Sequence, residues 1–391
     1  MKIADVCAFY SPHGGGVKTY VDRKLAIGPR LGHDILLIVP SDRNAIEIVG
    51  DGARIIHIAS PQLIVDRRYR YFEAAAPVHA ILDREAPDFV EASSPWRTAS
   101  IVADWQGPAA RALIMHADPL STYAYRWFGP LASRETIDRQ FEFFWRHLRR
   151  SSARYDMTVT ANRGLTERLI AGRIANVRTI PMGIEAGLFS PARRDPELRV
   201  KLLARCGLPE SATLLLGVGR HSAEKRWPLV VDACVTASRQ TPVGLVIIGD
   251  GRQRAQLAKY VGANPHIHLL APLSDRALLA RVMASGDALI HGCETETFGM
   301  VAAEAAASGL PLIVPDEGGS ASFVRPGSGV LYRAGEAASA AEAIVSLLAA
   351  GREKARLHAR LQAGGVPTIE AHFEQLFAHY TEASRRNARA A

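Results

Sequence analysis

The chain has 391 residues, enough for two or three domains that each bury a core, so peptides, fibres and disulfide miniproteins are excluded. Hydrophobic residues at 48% and charged residues at 22% exclude a disordered chain. The net charge of +8 is shared evenly between the two halves, so there is no basic tail to track nucleic acid; a modest positive field suits diphosphate substrates or an anionic membrane surface.

Short apolar β-type runs alternate with longer helical stretches, the pattern of parallel sheets covered by helices. The first series of predicted strands covers residues 3–8, 35–39, 55–58, 89–92, 113–116, 157–160 and 178–181. A second series covers 214–218, 245–248, 267–270, 288–290, 312–314 and 330–332. Between them, residues 189–196 hold two prolines and clustered charges, and are expected to be a domain linker. The expected fold class is therefore α/β, with two tandem Rossmann-like domains (1–188 and 197–365) facing across a cleft. A C-terminal helix (366–391) is expected to pack back on the first domain, with its Ala/Arg-rich end (383–391) frayed. Cys7, Cys206, Cys234 and Cys293 lie far apart in or beside apolar runs and read as buried thiols of a reducing compartment. Asp5 follows Lys2 too closely for a signal-peptide apolar region, and no apolar run reaches membrane-span length. A cytoplasmic protein is expected, and peripheral attachment to the cytoplasmic membrane face is compatible with this reading.

Ligands of such sheets bind beyond the carboxyl ends of the strands. After the first strand comes Ser11-Pro-His-Gly-Gly-Gly-Val17, where Gly15 and Gly16 let backbone amides approach phosphate or sugar oxygens at a helix N-terminus. It matches neither the dinucleotide G-x-G-x-x-G nor the P-loop, and a tight turn is its bland alternative. After the first strand of the second series, Arg220 and Lys225 can neutralise a diphosphate leaving group, or can be ordinary solvated loop charges. The loop Gly249-Asp250-Gly251 permits close approach of a nucleotide. Glu296 precedes, and Glu304 lies within, a helix opened by Met300; the two carboxylates can accept from different hydroxyls of one extended ligand, while amides of Phe298 and Gly299 face its anionic part.

This order of motifs resembles glycosyltransferase family 4: the Gly-rich loop, Arg220 with Lys225, Gly249-Asp250-Gly251, Glu296-x7-Glu304, then Ala-Ser-Gly-Leu-Pro311 and Asp316-Glu-Gly-Gly319. The resemblance implies the GT-B fold, with an acceptor-binding first domain and a second domain that binds a nucleotide-diphosphate sugar. It also implies transfer with retention of anomeric configuration. On that basis Arg220 and Lys225 clamp the diphosphate, Glu304 binds the ribose, and Glu296 with Phe298 and Gly299 holds the sugar, with Thr297 and Met300 also among the donor-binding residues. His116 is similar to the family's first-domain histidine near the donor sugar, with His13 competing for a similar role. Pro181-Met-Gly-Ile-Glu185 and Ala271 depart from the family pattern and leave base identity open; a uridine donor is favoured.

No Asp-x-Asp tripeptide occurs, so no metal cofactor is expected and Arg220 with Lys225 would replace it. Residues 126–154 carry seven arginines against three acids, interleaved with Trp127, Phe128, Phe141, Phe143, Phe144 and Trp145. This composition suits an anionic bilayer surface, with Trp127, Phe128, Arg146, Arg149 and Arg150 as contacts, and equally a packed helix with a solvated basic face. Arg67, Arg68 and Arg70 beside Tyr69, Tyr71 and Phe72 form a second such cluster. A hexose transferase acting on a membrane lipid or glycolipid is expected. The alternatives are a GDP-mannose-dependent mannosyltransferase, a transferase for a polysaccharide or small-molecule acceptor, a sugar-nucleotide epimerase of the same fold and a non-catalytic binding scaffold. A nucleic-acid partner is not expected.

Overall fold

The computed structural model describes residues 1–11, 16–63, 69–116, 118, 120, 124, 128 and 131–390. The chain divides into two compact units, Met1–Pro181 with Ile369–Ala391, and Met182–Thr368.

The first unit holds an eight-stranded sheet of β1 (Lys2–Val6), β2 (Asp34–Ser41), β3 (Ala45–Gly50), β4 (Ala53–Ala59), β5 (Phe89–Ala92), β6 (Ala110–Met115), β7 (Met157–Thr160) and β8 (Val177–Thr179). Its order is β3-β4-β2-β1-β5-β6-β7-β8, and every pair is parallel except β3–β4. Strands β5 and β7 are buried throughout, as inner strands of a sheet covered on both faces require. Strand β3 was not expected. It is an exposed edge strand joined to β4 by a turn at Asp51-Gly52, where Gly52 has φ +72°.

The second unit holds β9 (Thr213–Val218), β10 (Val243–Ile248), β11 (Ile267–Leu270), β12 (Ala288–Ile290), β13 (Leu312–Pro315) and β14 (Gly329–Tyr332). All are parallel, in the order β11-β10-β9-β12-β13-β14. This is a doubly wound sheet whose strand order reverses between β9 and β12, and the crevice beyond their carboxyl ends is where such sheets take ligands.

One boundary and the state of one terminal segment differ from expectation. Residues 189–196 lie inside the second unit, and the chain divides after Pro181. Proline and aspartate there start a helix: Asp195 caps Pro196–Arg205 by accepting from the Leu198 amide at 2.9 Å, and Arg199 of that helix holds the buried Asp287 at 2.7 Å. At the other end the helix Ile369–Ala390 belongs to the first unit and runs through the segment expected to fray. Ala383 is fully buried, and Tyr380 stacks on Phe89 with centroids 3.8 Å apart, so packing holds that helix as well as propensity. All four cysteines are free and buried. No helix among the described residues is long and apolar enough to cross a membrane.

Candidate donor-binding site in the second unit

The loop after β9 carries Arg220 and Lys225, and the loop after β12 carries Glu296, so the strand-order reversal brings them to one crevice. The Lys225 ammonium binds Glu296 Oε1. His291 Nε2 lies 3.4 Å from the same oxygen, without the alignment of a hydrogen bond. Burial alone would raise the Glu296 carboxyl, but Lys225 and His291 hold it far below the usual carboxylate range. Burial opposes the Lys225 charge in turn, and Glu296 more than offsets it, so the lysine is raised. Both ions are therefore charged at neutral pH.

Arg220 stands apart from this pair. Its side chain is 58% exposed and its ion partner among the described residues is Glu224, at 3.8 Å. It is a solvated cation at the mouth, while its carbonyl accepts from Trp227 Nε1 at 3.0 Å and ties the loop down. The β10 loop meets the β9 loop closely: the His221 amide donates to the Asp250 carbonyl at 2.7 Å, and a Cβ on Gly249 would lie 1.9 Å from the Gly219 oxygen. Only glycine fits there. Asp250 is exposed and its Oδ1 accepts from the Gly251 amide at 2.7 Å.

The helix Met300–Ala307 follows Glu296-Thr297-Phe298-Gly299. Gly299 has φ +84°, and a Cβ there would sit 2.8 Å from the Ser320 amide nitrogen. Phe298 is buried edge-on against Phe323, and the Gly319 amide donates to the Glu296 carbonyl at 2.6 Å. Together these aim the helix N-terminus at the crevice, a site for anionic oxygens. Glu304, one turn further on, is buried and accepts from Arg276 at 2.6 Å. Burial raises its carboxyl above the ordinary value, with Arg276 opposing.

Sequence reasoning missed three partners. Arg276 on Glu304 and Arg226 on Glu294 are long-range ion pairs with no local signature, and His291 closes Glu296 from behind. His291, Cys293 and Glu296 also place their donor atoms within 4.8 Å of one another, the one such metal-type set among the described residues. Lys225 already neutralises Glu296, and burial pushes the Cys293 thiol up to about 11, so the set is not poised as a thiolate site. A cavity of about 400 Å³ lined by Leu310, Leu312, Phe323 and Gln362 lies at the amino ends of β13 and β14.

In the first unit, His13, Gly15 and Trp127 lie outside the described residues, as do Arg67 and Arg68. Gly16 opens the helix Gly16–Ile27. His116 follows β6 directly; its ring meets Tyr20 edge-on at 5.0 Å, its Nε2 is buried without a hydrogen bond among the described residues, and burial pushes its pKa down to about 4. It is a neutral imidazole at pH 7. The basic aromatic segment splits by side chain. Phe144 and Trp145 join the core, correcting their expected surface role, whereas Phe128 and Phe143 are exposed and the ring centroids run Phe128–Phe141–Phe143 at 6.2 and 5.6 Å. Arg146 and Arg150 are exposed, while Arg149 binds Glu142. Phe72 is core, and Arg70 donates to the Ser60 carbonyl at 2.5 Å, so the described part of the second cluster is structural.

Residues 201–362 match the family described as glycosyl transferases group 1, and residues 15–183 match the glycosyl transferase 4-like domain. The chain is 28% identical to a GDP-mannose-dependent alpha-mannosyltransferase of Mycolicibacterium smegmatis over 100% of both chains. It is also 28% identical to a GDP-mannose-dependent alpha-(1-6)-phosphatidylinositol dimannoside mannosyltransferase of Mycobacterium tuberculosis, over 80% of this chain and 79% of that one. Among solved structures it resembles sucrose-phosphate synthase from Thermosynechococcus elongatus (TM-score 0.75, 19% identity, 100% of both chains). It also resembles Anabaena Alr3699/HepE in complex with UDP (TM-score 0.70, 16% identity, 98% of this chain and 100% of that one). With both units matched, the chain belongs to glycosyltransferase family 4 and has the GT-B fold.

Proposed function

We propose that this glycosyltransferase moves mannose from GDP-mannose to a hydroxyl of a mannosylated phosphatidylinositol lipid, with retention and without a metal. The observation that carries the donor is the end-to-end similarity to a GDP-mannose-dependent mannosyltransferase, which favours guanosine over the uridine expected from the sequence alone. The acceptor rests on the phosphatidylinositol dimannoside relative. The exposed rings of Phe128 and Phe143, linked through the half-buried Phe141, together with the exposed Arg146 and Arg150, support a lipid surface as its source.

In this reading the sugar C1–O bond to the diphosphate breaks as C1 bonds to the acceptor oxygen on the same face. The acceptor proton passes to the departing phosphate oxygen, leaving GDP and the glycoside. Lys225 has three N–H donors, so it can keep Glu296 and still give one to the diphosphate. Arg220, exposed at the mouth, offers the diphosphate a second cation. Glu296 and the amides at Phe298–Gly299 hold the sugar. The test is a panel of GDP-mannose, UDP-glucose and UDP-galactose with phosphatidylinositol mannoside vesicles, following nucleotide release and lipid product. GDP release that depends on the lipid is expected; faster turnover of a UDP-sugar, or equal release without lipid, overturns the proposal.

A further inference from the structure

Glu304 is an acid in an otherwise apolar helix, and a buried carboxylate needs a partner. Its partner comes from another element. Asp275 caps the helix Arg276–Ser285 by accepting from the Ala277 amide at 2.8 Å and the Leu278 amide at 3.2 Å, which fixes where Arg276 starts. The Arg276 guanidinium then lies over the Phe189 ring, 5.0 Å from its centroid, and donates through Nη2 to Glu304 Oε1 at 2.6 Å. The arginine is 44% exposed and the glutamate 6%, so the pair has one end in the protein and one at the crevice. The second Glu304 oxygen has no hydrogen bond among the described residues.

We propose that Arg276 is the positioning residue of the ribose site: it takes one oxygen of Glu304, fixes the side chain's rotamer and leaves the other oxygen to accept from the donor's ribose hydroxyls. This rests on the reading of Glu304 as the ribose ligand. A planar guanidinium stacked on an aromatic ring loses little freedom on pairing, so the carboxylate is held before the donor arrives. Charge matters as much as place. Burial favours the protonated acid, which accepts poorly; Arg276 opposes this, while Glu185, the other charged group facing Glu304, adds to it. Removing Arg276 therefore raises the Glu304 carboxyl further and brings its protonation towards neutral pH. Phe189, in a segment whose prolines suggested a mere linker, acquires a task as the platform under the arginine.

The experiment compares GDP with 2′,3′-dideoxy-GDP, which keeps the phosphates and lacks the ribose hydroxyls, so the ratio of their dissociation constants isolates the ribose contact from phosphate titration. Calorimetry on the full chain at pH 6 and pH 8 gives the ratio. In the wild type it is expected to be large and nearly equal at both values. In Arg276→Gln it is expected to fall by about tenfold at pH 6, the worth of one charge-assisted hydrogen bond, and by less at pH 8. Arg276→Lys should keep the flat profile and lose only part of the ratio, which separates lost charge from a damaged fold. Should Arg276→Gln track the wild type at both pH values, the inference falls. Glu304→Gln tests the underlying reading by itself: an unchanged ratio there means the ribose is not on Glu304, whereas a collapsed ratio with an indifferent Arg276→Gln overturns only the role of Arg276.

Discussion

Each unit sets a lysine against carboxylates where its strand order reverses, and the two arrangements differ in depth. In the first unit Asp5 on β1 and Glu91 on β5 are register partners in neighbouring parallel strands, and Lys24 from the helix Gly16–Ile27 binds both. Ser93 donates to the remaining Asp5 oxygen at 2.7 Å, and Asp5, Lys24 and Glu91 are all fully buried. In the second unit the charges stand beyond the strand ends, and Lys225 and Glu296 remain 14% and 21% exposed. A charge within the strands can only hold helix to sheet; a charge in the loops after them can exchange its partner for a ligand. The same pairing of residue types thus holds the fold in one unit and, under the proposed function, serves the donor in the other.

Breaking the sealed cluster should have the largest effect. Lys24→Ala leaves two buried carboxylates without their cation, and removing one partner of a buried pair costs about 3–5 kcal/mol. Calorimetric melting should show that loss, while turnover per folded molecule at low temperature stays close to wild type. A stability change below about 1 kcal/mol would mean that water reaches the cluster, against the burial described here.

Lys225→Ala should give the converse. Removing one donor aimed at developing negative charge costs about 10²–10³ in turnover, and the melting temperature should move far less than for Lys24→Ala. Turnover of GDP-mannose at wild-type rate would remove Lys225 from the chemistry and leave the Lys225–Glu296 pair as a second structural bridge.

The contrast was only partly legible in the sequence. Thirteen strands announce themselves as short, mostly apolar runs, because the inner strands of a parallel sheet are covered on both faces. β3 escaped because an exposed antiparallel edge needs no such run; the alternation Ile46-Glu47-Ile48 before Asp51-Gly52 was its available signal. Glu296 and Glu304 were found because their spacing is local to one loop and helix. Asp5, Lys24 and Glu91 were not, since three elements supply them and only the register of β1 against β5 brings them together. A hint was present: Glu91 interrupts an otherwise apolar strand that had to be buried on both sides. Arg276 gave no comparable hint, because its partner lies on another helix.

The sealed cluster also predicts a pH dependence that the open one does not share. One lysine faces two carboxylates, so the fully ionised cluster carries a net negative charge in a buried place. Burial raises the Glu91 carboxyl to about 7; Asp5 adds to this and Lys24 opposes it. The folded chain thus keeps a proton that the unfolded chain, with Glu91 near its ordinary value of 4.5, has already released. Where the native state binds more protons, stability falls as pH rises, here from about 4.5 to about 7, and the slope vanishes above that. One proton sets a limit of about 1.4 kcal/mol per pH unit. Glu296 has the opposite sign: its depressed carboxyl contributes stability above the ordinary carboxylate value that is lost only on strong acidification. Denaturant titrations of the wild type and Glu91→Gln between pH 5 and pH 8 separate the two, because the amide cannot ionise and subtracting its profile leaves the Glu91 contribution. A difference that declines with pH up to neutrality is expected; parallel profiles would show that Glu91 is ionised throughout, and that the sealed cluster carries its net charge without taking up a proton.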